Sequence, residues 1–309
     1  CRSMSSARTL PSLLSLTSLV AALALGGCAG DDGGDTGATS TSTSTSGGAE
    51  ARAVEVRFAA VVGAAPFACG QSYDGLGTTA ASAKATDARL YVHDVALLGG
   101  GERYPLALTE DEWQSDGVAL LDFEDGSGGC EGTAETNTSL RGTIPAGVTV
   151  DAVEFTIGVP EGRNHLDNAT APSPLNLPAM FWSWTNGYKF MKVDLRAGAE
   201  PDALPFYFHL GSAMCSGDVG SYQCMFGHRV TLRIDGFDPD ADSLVFDLAA
   251  LFAGADLTTP NDTMVDPVDG CMSGPKDPEC PAVFNALGLV LGSNDTTPGS
   301  QQVFRRQAE

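Results

Sequence analysis

Apolar and polar residues alternate with a period of two along most of the chain, the pattern of strands that bury one face. In 54–62, Val54, Val56, Phe58 and Ala60 fall on one side; in 89–98, Tyr91, His93, Val95 and Leu97 alternate against Leu90, Val92 and Asp94. Stretches 118–123, 148–159, 188–195, 206–210, 229–234 and 243–248 continue the pattern, separated by segments holding Gly, Pro, Asp or Asn. About eight strands with no strand–helix alternation predict an all-β fold, an antiparallel β-sandwich or distorted barrel with long loops. Helix is confined to short turns at 248–252 and 282–287.

The alternation breaks at 160–179. Pro160, Pro172, Pro174 and Pro178 remove backbone donors and fix φ, so this is a stiff irregular loop, neither regular helix nor central strand. It delivers His165 and then an aromatic run, Met180-Phe181-Trp182-Ser183-Trp184, with two of the chain's three tryptophans. In an extended stretch Trp182 and Trp184 share a face, because their spacing is two. Phe206-Tyr207-Phe208-His209 follows, so two of only four histidines bracket the run.

The N-terminal end follows different rules. Arg2 and Arg8 precede an apolar segment, 13–25, that falls short of the roughly 20 residues of a spanning helix. It ends in Leu23-Ala24-Leu25-Gly26-Gly27-Cys28, similar to a bacterial lipoprotein signal. That similarity implies cleavage before Cys28, lipidation of its sulfur and, with Ala29 in place of Asp, sorting to the outer membrane. From 29 to about 51 the chain is Gly, Asp, Ser and Thr with no large apolar side chain, so it cannot offset the entropy of ordering. The expected organisation is a signal peptide at 1–27, a lipidated, disordered tether at 28–52 and one β domain at 53–309.

Cysteine usage agrees with export. Without Cys1 and Cys28 there remain six, Cys69, Cys130, Cys215, Cys224, Cys271 and Cys280, with no Cys-x-x-Cys spacing for a zinc cage. Short loops favour Cys215 with Cys224 and Cys271 with Cys280, which leaves Cys69 with Cys130. Among 309 residues, 39 Asp and Glu against 17 Lys and Arg give a net charge of −22, which excludes a phosphate-binding surface and so a nucleic-acid partner.

Candidate chemistry is sparse. No Gly-x-Ser-x-Gly elbow, His-Glu-x-x-His helix or phosphate loop occurs, which argues against a hydrolase. Imidazoles beside Met180, Met191 or Met214 suit copper, whereas the Asp-rich runs 235–242 and 265–270 suit a calcium- or carbohydrate-binding surface lipoprotein, although neither is an EF-hand loop. His228 reads as structural, Lys189 as outward-facing, and Trp113, in an acidic loop, as a surface or partner contact.

Several unusual motifs occur together: Asn164-His165-Leu166-Asp167, Ser173-Pro174-Leu175-Asn176, Met180 to Trp184, Gly187-Tyr188-Lys189-Phe190, Phe208-His209-Leu210-Gly211-Ser212 and Cys271-Met272-Ser273-Gly274. In this order they resemble the MbnP-like, metallo-mystery-pair four-Cys proteins over roughly 53–289. The resemblance implies a non-enzymatic, exported copper binder. Its partner is a dihaem MauG-like cytochrome c peroxidase homologue that oxidises a tryptophan to kynurenine. On this basis Trp184, then Trp182, is the modified residue, and His165 and His209 lead as copper ligands with His93 third. Six candidate disulfide cysteines depart from a four-Cys pattern.

Overall fold

A computed structural model describes residues 50–260 and 268–308. The leader at 1–27, Cys28, most of the tether and the start of the 265–270 run lie outside them. Among the described residues no helix is long and apolar enough to cross a membrane.

The fold is a β-sandwich whose sheets do not close, so the barrel alternative is set aside. One sheet runs in the order Phe304–Ala308, Asp242–Asp247, Ala51–Val62, Ser139–Pro145, Ala107–Leu108. The other runs Val230–Asp235, Ala152–Ile157, Ala81–Gly99, Met191–Ala197, Leu204–Leu210, Gly270–Cys271. Among the described residues pairing is antiparallel with two exceptions: Ala51–Val62 lies parallel to Asp242–Asp247, and Leu204–Leu210 parallel to Gly270–Cys271. Alternation alone carries no strand direction, so these two pairs were not legible in the sequence.

The strand Ala81–Gly99 is the spine of the larger sheet. One edge pairs with Met191–Ala197 and then Ala152–Ile157, and the other with Ser72–Leu76, Val118–Asp122 and Glu102–Pro105. It starts eight residues before the expected strand, because Ala81, Ala83 and Ala85 are too small to signal burial yet are buried. Asp94, at φ 50°, lies where the register with Ala152–Ile157 shifts, and the strand bends there.

Aromatic rings join the two sheets. Phe155 of the larger sheet packs edge-on against Phe58 at 5.7 Å and Phe304 at 5.6 Å, and Phe304 stacks on Phe246 at 5.1 Å. The short helices are Leu248–Phe252, capped by the Asp247 carboxylate, and Cys280–Ala286. The three expected disulfides, Cys69–Cys130, Cys215–Cys224 and Cys271–Cys280, are all present.

The outer face of the larger sheet is charged and also buried. Register aligns Asp122, Arg89, Lys192 and His209 across four strands, with Asp87, Asp194 and Tyr207 in the next row. Arg89 holds both Asp87 oxygens and lies 3.6 Å from Glu124; Lys192 bridges Asp87 and Asp194. All but Tyr207 are buried, because the 160–179 loop and the segment tied by Cys69–Cys130 fold over this face.

Candidate metal centre

The proline-rich loop is fastened from below. Tyr91 donates to Pro174 O at 2.8 Å, Tyr188 to Leu175 O at 2.8 Å, and Lys189 Nζ to Ala179 O at 3.0 Å. Lys189 therefore does not point outward as expected; burial lowers its pKa while its ammonium caps a carbonyl. Trp113 is likewise no free surface group: it packs on the core beside Pro174 and Leu177.

Loop and hairpin meet at Asn164. Its buried side chain accepts the Tyr188 amide at 3.1 Å, and a Cβ on Gly187, at φ 77°, would sit 2.5 Å from Asn164 Oδ1. Only glycine fits that approach. The hairpin Phe181–Ser183 with Gly187–Tyr188 is short, and the chain turns at Trp184. The two indoles consequently do not share a face as expected of an extended run. Trp182 is half-buried, while Trp184 stands on the turn, 45% exposed.

Trp182 lies over Gly211, where a Cβ would strike its ring and come within 2.8 Å of Tyr188 O. Its ring centroid is 6.4 Å from that of His209. His209 is buried and donates Nε2–H to Asp194 Oδ1 at 2.8 Å, which leaves Nδ1 with the lone pair. Burial lowers the His209 pKa, so the ring is neutral near pH 7. Burial raises the Asp194 pKa, but the His209 hydrogen bond and Lys192 outweigh it and the net direction is down.

His165 stands at the turn of the same hairpin. Its Nδ1–H donates to Trp184 O at 2.9 Å, and its Nε2 accepts from Asn164 Nδ2 at 3.3 Å and lies 3.4 Å from Cys224 Sγ, with the Tyr222 ring 5.2 Å away. His209 thus has one nitrogen fixed by a protein acceptor and the other carrying a lone pair, the state a metal-binding imidazole requires, whereas His165 Nε2 is already met by the Asn164 side-chain amide.

The structure does not bring His93 to His209. His93 donates to Gly158 O at 2.9 Å and pairs across the sheet with Thr156 and Val118. It lies two strands over and four residues along from His209, roughly 16 Å by strand geometry. His228, donating to Gly211 O, is packed between Phe226 and Phe284, and its Nε2 is buried with no hydrogen-bond partner among the described residues. Met180 and Met191 are core residues, whereas Met214 is 55% exposed.

Three compact groups of metal-capable side chains occur among the described residues, around Cys215–Cys224, Cys69–Cys130 and Cys271–Cys280. Each contains both halves of a disulfide, so none offers a thiolate. In the 235–242 run, Asp238 closes a turn, Asp240 pairs with Arg52 and Asp242 with Arg306. Those carboxylates serve the turn and neighbouring arginines.

The MbnP family profile matches residues 51–273. The chain belongs to the MbnP family. MbnP from Methylosinus trichosporium is similar over 84% of this chain and 99% of that one, with 32% identity and a TM-score of 0.75. No curated protein matches. The family match begins at the first strand of the sandwich and ends just after Met272, so the MbnP region includes the loop, the hairpin and both histidines beside it. Sequence reading missed Asp194, the partner of His209. Its signal was the Lys192-x-Asp194 alternation on a strand beside one carrying a histidine.

Proposed function

We propose that this MbnP-family protein is an exported, outer-membrane-anchored copper binder, matured by a dihaem MauG-like peroxidase that oxidises Trp182 to kynurenine. The observation carrying the reading is the placement of the Trp182 ring beside His209, itself held by Asp194. His209 through Nδ1 and His165 through Nε2 are the imidazoles able to hold the metal with the modified residue. A copper ion held there would supply the protein with a redox-active centre.

The conversion balances. An indole and two waters give N-formylkynurenine, four electrons and four protons; hydrolysis then releases formate and leaves an aniline nitrogen and a ketone. The electrons pass to the partner's high-valent haem, which two molecules of hydrogen peroxide regenerate. The chain's own contribution is to seat the indole against Gly211 and to place a neutral imidazole beside it.

Trp184 is the second reading, favoured by its exposure and by the hydrogen bond from His165 to its carbonyl. Co-expression with the peroxidase-like partner followed by peptide mass spectrometry separates the two. Trp182→Phe should abolish both the oxidised peptide and copper retention, while Trp184→Phe keeps them. Oxidation localised at Trp184, or copper retention by an unmodified pair, would overturn the assignment.

A further inference from the structure

Sulfur and nitrogen donors converge where the ribbon Ala213–Ser216 with Gln223–Phe226 meets His165. The Sγ atoms of Cys215 and Cys224 and a ring nitrogen of His165 all lie within 4.8 Å of one another, and His165 Nε2 is 3.4 Å from Cys224 Sγ. Joined as a disulfide the two sulfurs are no ligands, because it is the thiolate that binds a metal. Reduced, they would complete with the imidazole a set of two thiolates and one nitrogen, a donor set of open, three-ligand zinc sites.

This bridge differs from the other two. Cys215 and Cys224 are both half-buried, whereas Cys130, Cys271 and Cys280 are buried. Its neighbouring ligand is a histidine, where Cys69–Cys130 has Glu124 and Cys271–Cys280 has Asp277. It links cysteines nine positions apart on a ribbon that pairs with neither sheet of the sandwich, so opening it leaves the core intact. The ribbon also keeps its register without the bridge. Ala213 pairs with Phe226 and Ser216 with Gln223 on either side of it. At the base, Ser212 Oγ donates to Gly227 O, and the Asn294 side chain bonds both the Gly227 amide and the Met225 carbonyl. The sulfurs therefore stay opposed after reduction. The imidazole is held as well, by Trp184 O at Nδ1 and by the Tyr222 ring. The Asn164 amide that meets Nε2 does so at 3.3 Å, a long bond for a cation to displace.

We propose that reduction of Cys215–Cys224 creates a zinc(II) site from these two sulfurs and His165 Nε2. The reductant is a dithiol. One of its thiolates attacks a bridge sulfur, the S–S bond breaks and a mixed disulfide forms; its second thiolate then closes on the first and releases the remaining cysteine. Two electrons and two protons pass to the cysteine pair, the dithiol leaves as its own disulfide, and zinc expels the two thiol protons as it binds. The site needs neither kynurenine nor copper, so it stands or falls independently of the maturation proposed above.

The test uses the exported full-length protein prepared without the peroxidase and freed of metal. Graded treatment with dithiothreitol, followed by alkylation and peptide mapping, should release Cys215 and Cys224 first, with Cys69–Cys130 and Cys271–Cys280 still closed. After removal of the dithiol, cobalt(II), a spectroscopic stand-in for zinc(II), is titrated under anaerobic conditions. One equivalent should give thiolate-to-cobalt charge-transfer bands, tetrahedral d–d absorption and hyperfine-shifted proton resonances from one imidazole. Zinc(II) should bleach the bands, and the oxidised protein should show none. His165→Ala, its folding checked by circular dichroism, should weaken binding by roughly tenfold or more. Earlier opening of either other disulfide, cobalt binding by the reduced protein without thiolate bands, or unchanged affinity in H165A would overturn the proposal. The wild-type spectra and imidazole resonances decide the matter even if the variant misfolds.

Discussion

Asp122 offers a quantitative test of the buried charge layer. Counted among the buried residues, Asp87, Asp122, Glu124 and Asp194 face only two permanent cations, Arg89 and Lys192. The excess acid falls on Asp122: burial raises its pKa, Arg89 offsets only part of that and Glu124 adds to it, so the carboxyl is pushed from 3.8 up to about 7. Between those values the folded protein binds a proton that the unfolded chain releases, so stability falls as pH rises and the loss is complete above about pH 7. At about 1.4 kcal/mol per pH decade the span is worth about 4 kcal/mol. Asp122→Asn removes the charge while keeping an oxygen to accept the Glu124 amide. Urea unfolding with disulfides intact, run from about pH 4 to 8, should show the variant level with wild type at the acid end. At pH 8 it should be more stable by about 2–4 kcal/mol. Parallel pH curves, or a D122N protein weaker than wild type at pH 8, would refute this account of the layer.

Two further expectations concern the same region. Lys192→Met leaves Asp87 and Asp194 buried without their shared cation, and should lower stability at neutral pH by about 3–5 kcal/mol in urea melts, with partial recovery in acid as carboxylates protonate. Gly211→Ala should cost about 1–3 kcal/mol and shift the tryptophan emission to the red, because its Cβ drives the Trp182 ring out of its seat; unchanged emission would mean the indole is not seated there.

Much of the sandwich was legible because large apolar residues alternate along its strands, as at Val54, Val56 and Phe58. Two disulfides followed from short spacings, and Cys69–Cys130 from what they left over. What stayed hidden has a common cause. The alternation at Lys192-x-Asp194 and Tyr207-x-His209 carries no sign that this face is covered, since the pattern of one strand cannot reveal a loop 160–179 folded over it. Around the candidate site, the expectation that Trp182 and Trp184 share a face failed because the chain turns at Trp184, where an extended run would have continued.

The position of the first strand has a mechanical consequence. Ala51–Val62 enters in the interior of its sheet, flanked by Ser139–Pro145 over its first half and by parallel Asp242–Asp247 over its second. A pull on the chain ahead of Ala51 therefore loads both ladders along the strand axis. Their hydrogen bonds share the force and resist in shear, where an edge strand pulled sideways would yield one bond at a time. A load applied ahead of Ala51 thus meets a point that does not unzip.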